Sequence, residues 1–98
     1  MIDKRVHPRV TVELEVTCER KDGPPIGGVA KDVSMGGMFI ESSESPAFGT
    51  QVTIAAKLAG ADLKLPGTVR WGKPGGFGVQ FGLLGARETV TIAKLLKG

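Results

Sequence analysis

The sequence predicts an all-β fold, a small antiparallel barrel of six strands followed by one helix. Fifteen of the 98 residues are glycine, which is too many for a helical bundle and typical of short strands joined by tight turns. Six segments with strand character are separated by turn signals. A chain of this length has one hydrophobic core, and closure into a barrel would protect its strand edges.

The first strand has the clearest pattern. From Val10 to Arg20 apolar and polar residues alternate, which indicates a strand with one buried face. The buried positions include Cys18, the only cysteine, so an intramolecular disulfide is excluded and a reducing, cytoplasmic location is expected. Residues 21–25 predict a turn, and a second strand is expected over residues 26–33.

Four further strands are expected, over residues 38–41, 51–60, 61–71 and 77–81, and the segment KPGG at residues 73–76 predicts the turn before the last of them. Because Pro66 cannot donate a ladder hydrogen bond, we expect a bulge or a sheet edge beside it. Trp71 is expected to pack in the core or at the barrel mouth, and a base-stacking platform is the alternative. Residues 85–97 combine β-branched residues with helical spacing, and the spacing favours a helix.

Few residues could support catalysis. The only histidine, His7, lies in a segment without apolar periodicity, so neither a Ser-His-Asp triad nor a metal site is indicated. No glycine-rich loop carries the lysine and hydroxyl of a nucleotide-binding P-loop. We therefore expect a protein that is not an enzyme and has no cofactor and no metal. No apolar stretch approaches the ~20 residues of a membrane span, so no membrane association is expected.

The first positive signal is the basic segment at residues 1–9. It contains Lys4, Arg5 and Arg9, and its only acidic residue is Asp3. Guanidinium groups four residues apart can each donate paired hydrogen bonds to phosphate or stack on a base. We expect a flexible arm that closes over a compact anion, and the alternative is a solvated basic tail.

The second signal is the segment DVSMGG at residues 32–37. Asp32 and Ser34 would point the same way if the strand continues through both. A carboxylate can accept two hydrogen bonds from a guanine edge, and a hydroxyl can donate to a phosphate. Gly36 and Gly37 would let a ligand approach the backbone. The alternative is a hairpin turn in which the Asp and Ser side chains bond their own backbone.

Together the two segments resemble the signature of the PilZ domain family, the bacterial receptors for the second messenger cyclic di-GMP. The family pattern is R-x-x-x-R followed by D/N-x-S-x-x-G. Here it is matched in order by residues 5–9 and residues 32–37. The segment GFGVQF at residues 76–81 also resembles the glycine-rich closing strand of the family.

The resemblance implies a role for each motif residue. Arg5 and Arg9 would bind phosphate and stack on guanine. Asp32 would recognise a guanine edge, Ser34 would hydrogen-bond the ligand, and Gly37 would admit it at close range. Two neighbouring residues are further candidate contacts, Lys4 and Gly36.

The resemblance further implies a single domain over residues 1–98, with an arm at 1–9, a barrel at 10–82 and a terminal helix at 85–97. It would bind cyclic di-GMP and relay the signal to an unidentified downstream protein, as a monomer or weak dimer. One alternative is a ligand-independent protein-interaction module of the same fold. Another is binding of single-stranded nucleic acid by base stacking, which is disfavoured because all aromatic residues except Phe48 fall in core-like positions and the net charge is only +3.

Overall fold

The computed structural model of the chain describes residues 10–21, 23–58 and 61–96, and these residues form six strands and one helix. The elements are β1 (Val10–Arg20), β2 (Ile26–Val33), β3 (Gly37–Glu41), β4 (Gln51–Leu58), β5 (Ala61–Lys73), β6 (Gly76–Phe81) and α1 (Ala86–Leu96). The strands are all antiparallel neighbours and close into a barrel in the order β1-β2-β3-β6-β5-β4. The predicted fold class is confirmed, and the predicted arm lies outside the described residues.

The barrel interior is filled by one apolar face from each strand. In β1 the alternation places Val16 and Cys18 inside and the polar residues between them outside, as predicted. Each large apolar side chain buried in this way stabilises the fold by about 1.5–3 kcal/mol. Helix α1 packs against β5 and adds Ile92 to the core. Within the described residues, no helix has the length and apolar character needed to cross a membrane.

A β-bulge in β2 decides which way Asp32 faces. Ala30 pairs with Ile40 of β3, but the next pair is Asp32 with Phe39, so Lys31 is an extra residue in β2. The extra residue shifts the alternation by one position, because Ala30 and Val33 are both fully buried. Without the bulge Asp32 would share the inward side of Ala30. With it, Asp32 lies on the outer surface of the barrel.

Strand β5 contains two residues for which the sequence made a prediction, Pro66 and Trp71. Pro66 keeps an unbroken register with β4, and its carbonyl accepts a hydrogen bond from the Gly82 amide at 2.8 Å, just beyond the end of β6. Pro66 therefore lies one position beyond the β5–β6 ladder, which starts at the pair of Gly67 with Phe81, and no bulge interrupts β5 at Pro66. The register shift lies instead between Val69 and Trp71, against β6. Trp71 is 43% exposed, so its predicted place in the core is wrong.

The turn between β5 and β6 is a tight one, as predicted from the segment KPGG. Gly75 has a φ of +94°, in the left-handed region that favours glycine, and it follows Pro74, which is the residue order of a type II turn. The Ser42 amide donates a hydrogen bond to the Gly75 carbonyl at 3.0 Å. This contact ties the tip of the β5–β6 hairpin to the end of β3.

Candidate functional site

A row of strand partners crosses the outer surface of the barrel from β1 to β5. In order, the row consists of Thr11, Asp32, Phe39, Gly78 and Trp71. Directly paired residues project from the same face of a sheet. The motif carboxylate of Asp32 therefore lies on one surface with two aromatic side chains, and the adjacent one is Phe39.

Phe39 and Trp71 stack on each other across β6. Their ring centroids are 5.4 Å apart and their planes are inclined by 11°. The stack is possible because β6 carries glycine beneath it. A Cβ at Gly76 would overlap the Phe39 ring, and a Cβ at Gly78 would overlap the indole of Trp71. We call Phe39 and Trp71 the aromatic pair.

The aromatic pair was missed by the sequence analysis, which assigned both residues to core-like positions. For Phe39 the structure shows ordinary strand alternation, since Met38 and Ile40 on either side of it are both buried. Alternation then requires Phe39 to face outward. For Trp71 no local signal existed, because the register shift before it depends on pairing with β6.

Two cationic side chains lie against exposed rings on the same surface. The Lys73 ammonium is 5.0 Å from the centroid of Phe39 and 6.0 Å from that of Trp71. Arg70, which is next to Trp71 in the bulge of β5, lies 5.6 Å from the centroid of Phe48. Phe48 is 73% exposed. The surface beyond Asp32 thus combines stacking faces with positive charge.

Ser34 does not continue the direction of Asp32. Strand β2 ends at Val33, and Ser34 lies in the turn to β3 with only 5% of its surface exposed. Its hydroxyl oxygen accepts a hydrogen bond from the Gly36 amide at 3.1 Å. Its own amide donates to the Gly37 carbonyl at 2.8 Å. Ser34 therefore holds the turn, which is the alternative that the sequence analysis kept open.

Gly36 and Gly37 both lie close to β6. A Cβ at Gly37 would collide with the carbonyl oxygen of Val79, so glycine lets β3 approach β6 there. The Gly36 carbonyl accepts a hydrogen bond from the Phe81 amide at 2.8 Å. The motif turn is thus anchored to β6 from both sides. Ligand contact at these two residues stays a prediction.

Lys31, the extra residue of the β2 bulge, links three strands. Its ammonium lies 3.3 Å from the Glu13 carboxylate on β1 and 4.0 Å from that of Glu41 on β3. Exposed ion pairs such as these contribute less than about 1 kcal/mol each. Their position next to Asp32 nevertheless favours the bulged register that keeps Asp32 outside.

The remaining candidates for the site, Lys4, Arg5 and Arg9, lie outside the described residues. Among the residues that the structure does describe, no group of His, Cys, Asp and Glu side chains could hold a metal ion. Cys18 is fully buried, and this desolvation raises the pKa of its thiol from 9.0 to about 11 against the opposing charge of Arg20. The thiol is therefore protonated and shielded at neutral pH, and it is not a nucleophile.

The sequence and fold together define the class of protein. The family model of the PilZ domain matches residues 3–98, and this chain belongs to the PilZ domain family. Domains of this family are in general binding domains rather than catalysts. The comparison with curated proteins finds no match.

Three solved structures are similar to the barrel. The PilZ domain of CeSA from a cellulose-synthesizing bacterium has a TM-score of 0.78 and 24% identity, over 93% of this chain and 96% of that one. The Bacillus subtilis inhibitor of motility MotI/DgrA has a TM-score of 0.73 and 16% identity, over 98% of this chain and 53% of that one. The K. pneumonia MrkH–c-di-GMP complex has a TM-score of 0.77 and 16% identity, over 98% of this chain and 51% of that one. The chain thus spans about half the length of the last two proteins.

Proposed function

We propose that this PilZ domain is a non-enzymatic receptor for cyclic di-GMP, which binds on the outer surface of the barrel around Asp32. The observation that carries the proposal is the outward-facing motif carboxylate in one row with the aromatic pair, of which Phe39 is half-buried and Trp71 is exposed. Family membership and the similarity to a protein solved with cyclic di-GMP support the choice of ligand.

Guanine is the base that this surface suits best. The Asp32 carboxylate can accept hydrogen bonds from both the N1–H and the exocyclic amine of guanine, a donor pair that the other bases do not present in the same way. Phe39 lies next to Asp32 in register, and the exposed indole of Trp71 extends the apolar surface. Stacking of a base on such a ring contributes about 1–3 kcal/mol.

The basic arm is connected to the barrel at this same site. Arg9 is covalently bonded to Val10, the first residue of β1, and Val10 pairs with Val33. Ser34, the first residue of the motif turn, directly follows Val33 in the chain. The arm is therefore bonded to a residue that pairs next to the motif, and at up to ~3.5 Å per residue it is long enough in this proposal for both arginines to reach a ligand at Asp32. In this proposal both arginines bind the ligand phosphates and stack on guanine, and Lys4 adds a further phosphate contact.

The energies of these contacts fit reversible binding. A hydrogen bond to a charged group contributes about 1.5–3 kcal/mol net, and micromolar affinity requires about 8 kcal/mol. Two arginines, Asp32 and one stacked base can supply this amount together. Ordering the arm costs about 1–2 kcal/mol for each residue fixed, which offsets part of the gain. A sensor that releases its ligand when the concentration falls needs such a balance.

The proposal also covers how the chain works as a unit. Residues 1–9 would act as the closing arm, residues 10–82 as the barrel and residues 85–97 as the terminal helix of one cytoplasmic domain, a monomer or weak dimer. Closure of the arm replaces a cationic segment by an ordered surface. A downstream protein that binds only the closed form would shift the population of the two states.

Calorimetric titration with cyclic di-GMP tests the proposal, with GMP and cyclic di-AMP as controls. We expect saturable binding in the micromolar range or tighter, and at least 100-fold weaker binding of both controls. The whole chain should be used, since the arm belongs to the site. Absence of binding by a folded chain would contradict the proposal and favour a ligand-independent interaction module.

A second candidate function is favoured by the exposed rings. Three aromatic side chains with two cations beside them form a surface typical of single-stranded nucleic-acid binding; they are Phe39, Trp71, Phe48, Lys73 and Arg70. The sequence analysis had disfavoured this function because Phe39 and Trp71 were expected inside. Titration with a single-stranded oligonucleotide at two salt concentrations distinguishes the candidates. Strong, steeply salt-dependent binding would support the second one.

A further inference from the structure

Lys73 occupies the surface that a stacked base would need. It is the last residue of β5, and its ammonium lies against both rings of the aromatic pair. Its backbone is fixed by the tight turn that follows, whose Gly75 carbonyl accepts a hydrogen bond from Ser42. The position of the ammonium is therefore set by its side chain, which can swing without any change in the fold.

Lys73 has no competing carboxylate partner among the described residues. The acidic side chain in its own row is Glu41, with Gly76 between them. The Glu41 carboxylate lies instead 4.0 Å from the ammonium of Lys31. The attraction of an exposed ammonium to aromatic rings is weak. Lys73 can therefore leave the rings at little cost when an anion offers a stronger partner.

We propose that Lys73 is a ligand-responsive cation, which covers the aromatic pair in the free protein and moves to a ligand phosphate when the nucleotide binds. This inference rests on the proposed function. A guanine that stacks on the aromatic pair must displace the ammonium from it. The same ligand brings two phosphate groups to the surface, and a phosphate attracts a lysine ammonium far more strongly than a ring does.

A proton NMR titration of the whole chain tests the movement of Lys73. In the free protein, the ε-methylene protons of Lys73 should resonate upfield of those of other lysines, because ring currents shift nuclei that lie over aromatic faces. Saturating cyclic di-GMP should remove most of that difference. Lys64 is the internal control, since its ammonium lies 3.8 Å from the Glu19 carboxylate on another part of the barrel, and its resonances should stay unchanged.

Affinity measurements test the phosphate contact. We expect Lys73→Gln to weaken cyclic di-GMP binding about 5- to 10-fold and to lower the dependence of log Kd on log salt, whereas Lys73→Arg retains most of the affinity. Lys64→Gln removes the same charge elsewhere and should change the affinity less than twofold. Thermal unfolding should be unaltered in all three variants.

The outcomes separate the two proposals. If the wild-type chain binds no nucleotide, the proposed function fails and this inference with it. If the wild-type chain binds but Lys73→Gln binds equally well or more tightly, the phosphate contact is refuted and the proposed function stands. An unchanged Lys73 resonance in the saturated complex would likewise refute only the movement of Lys73.

Discussion

The barrel has two outer faces that are built from the same alternating strands and differ in their regularity. On the site face, over the start of β1 and over β2, β3, β6 and β5, register shifts lie in β1 between Thr11 and Leu14, in β2 at Lys31 and in β5 beside Trp71. On the opposite face, over β1 and β4, the β1–β4 and β4–β5 ladders run without a register shift. One row of strand partners on the opposite face consists of Gly27, Thr17, Ala55 and Lys64.

The difference shows what the bulges contribute. A regular ladder exposes every second residue, and here that yields small and polar side chains with an ordinary ion pair between Lys64 and Glu19. The bulges in β2 and β5 each turn outward a residue that regular alternation would direct inward. These two residues are Asp32 in β2 and Trp71 in β5, and Trp71 lies beside Arg70. We infer that the irregular face is the binding face and the regular face supports it.

The largest expected effect on affinity comes from removing an arginine of the arm. We expect Arg9→Ala to abolish measurable cyclic di-GMP binding, a loss of at least 100-fold, because a desolvated guanidinium–phosphate pair is removed. Calorimetry measures the affinity and thermal unfolding measures stability, which should hardly change. Arg87→Ala, an exposed position on α1, is the matched control and should bind like wild type. A large drop in the unfolding temperature of Arg9→Ala would show instead that Arg9 is structural.

The next effect compares carboxylates on the two faces. Asp32→Ala should weaken binding about 30- to 100-fold, or about 2–3 kcal/mol, because guanine loses the acceptor for two donors. Asp62→Ala removes an exposed carboxylate from the hairpin of β4 and β5 and should leave the affinity within twofold. Equal losses in the two variants would mean that net charge, rather than position, governs binding.

A third prediction compares glycines on the two faces. Gly78→Ala pushes a methyl group into the Trp71 ring, so we expect a change in tryptophan fluorescence and about 10-fold weaker binding. Trp71 is the only tryptophan, so the emission reports this site alone. Gly27→Ala is the control, because a Cβ there meets no atom within 4 Å, and it should be neutral in both measurements. Unchanged binding by Gly78→Ala would remove the aromatic pair from the site.

The last prediction concerns the stability of the core that both faces share, and it involves no contact with the ligand. Because the thiol pKa of Cys18 is about 11 in the folded protein and 9.0 ordinarily, the unfolded chain loses its thiol proton first. The stability that depends on the protonated thiol is therefore complete below pH 9 and is lost as the pH rises towards 11. Between pH 9 and pH 11 we expect the free energy of unfolding of the wild-type chain to fall by roughly 1–3 kcal/mol more than that of Cys18→Ala. Urea denaturation of both chains measures it, and parallel pH profiles would contradict it.

The sequence was sufficient to predict what depends on local pattern. Alternation predicted the buried face of β1, including Cys18, and turn residues located the β5–β6 hairpin. The motif segments were recognised from their residues alone. Side-chain direction at a bulge could not be predicted in this way, since one extra residue reverses the alternation and its place is fixed by pairing with another strand. Trp71 is the clearest example, and the turn geometry of Ser34 is another.

Backbone amide and indole NMR of the labelled chain, with and without cyclic di-GMP, tests the central claim most directly. We predict shifts concentrated on the site face, at Asp32, Phe39 and Gly78 and at the indole N–H of Trp71. The opposite face, followed at Thr17 and Ala55, should be unaffected. Shifts confined to the opposite face, or a spectrum unchanged at saturating nucleotide, would contradict the account.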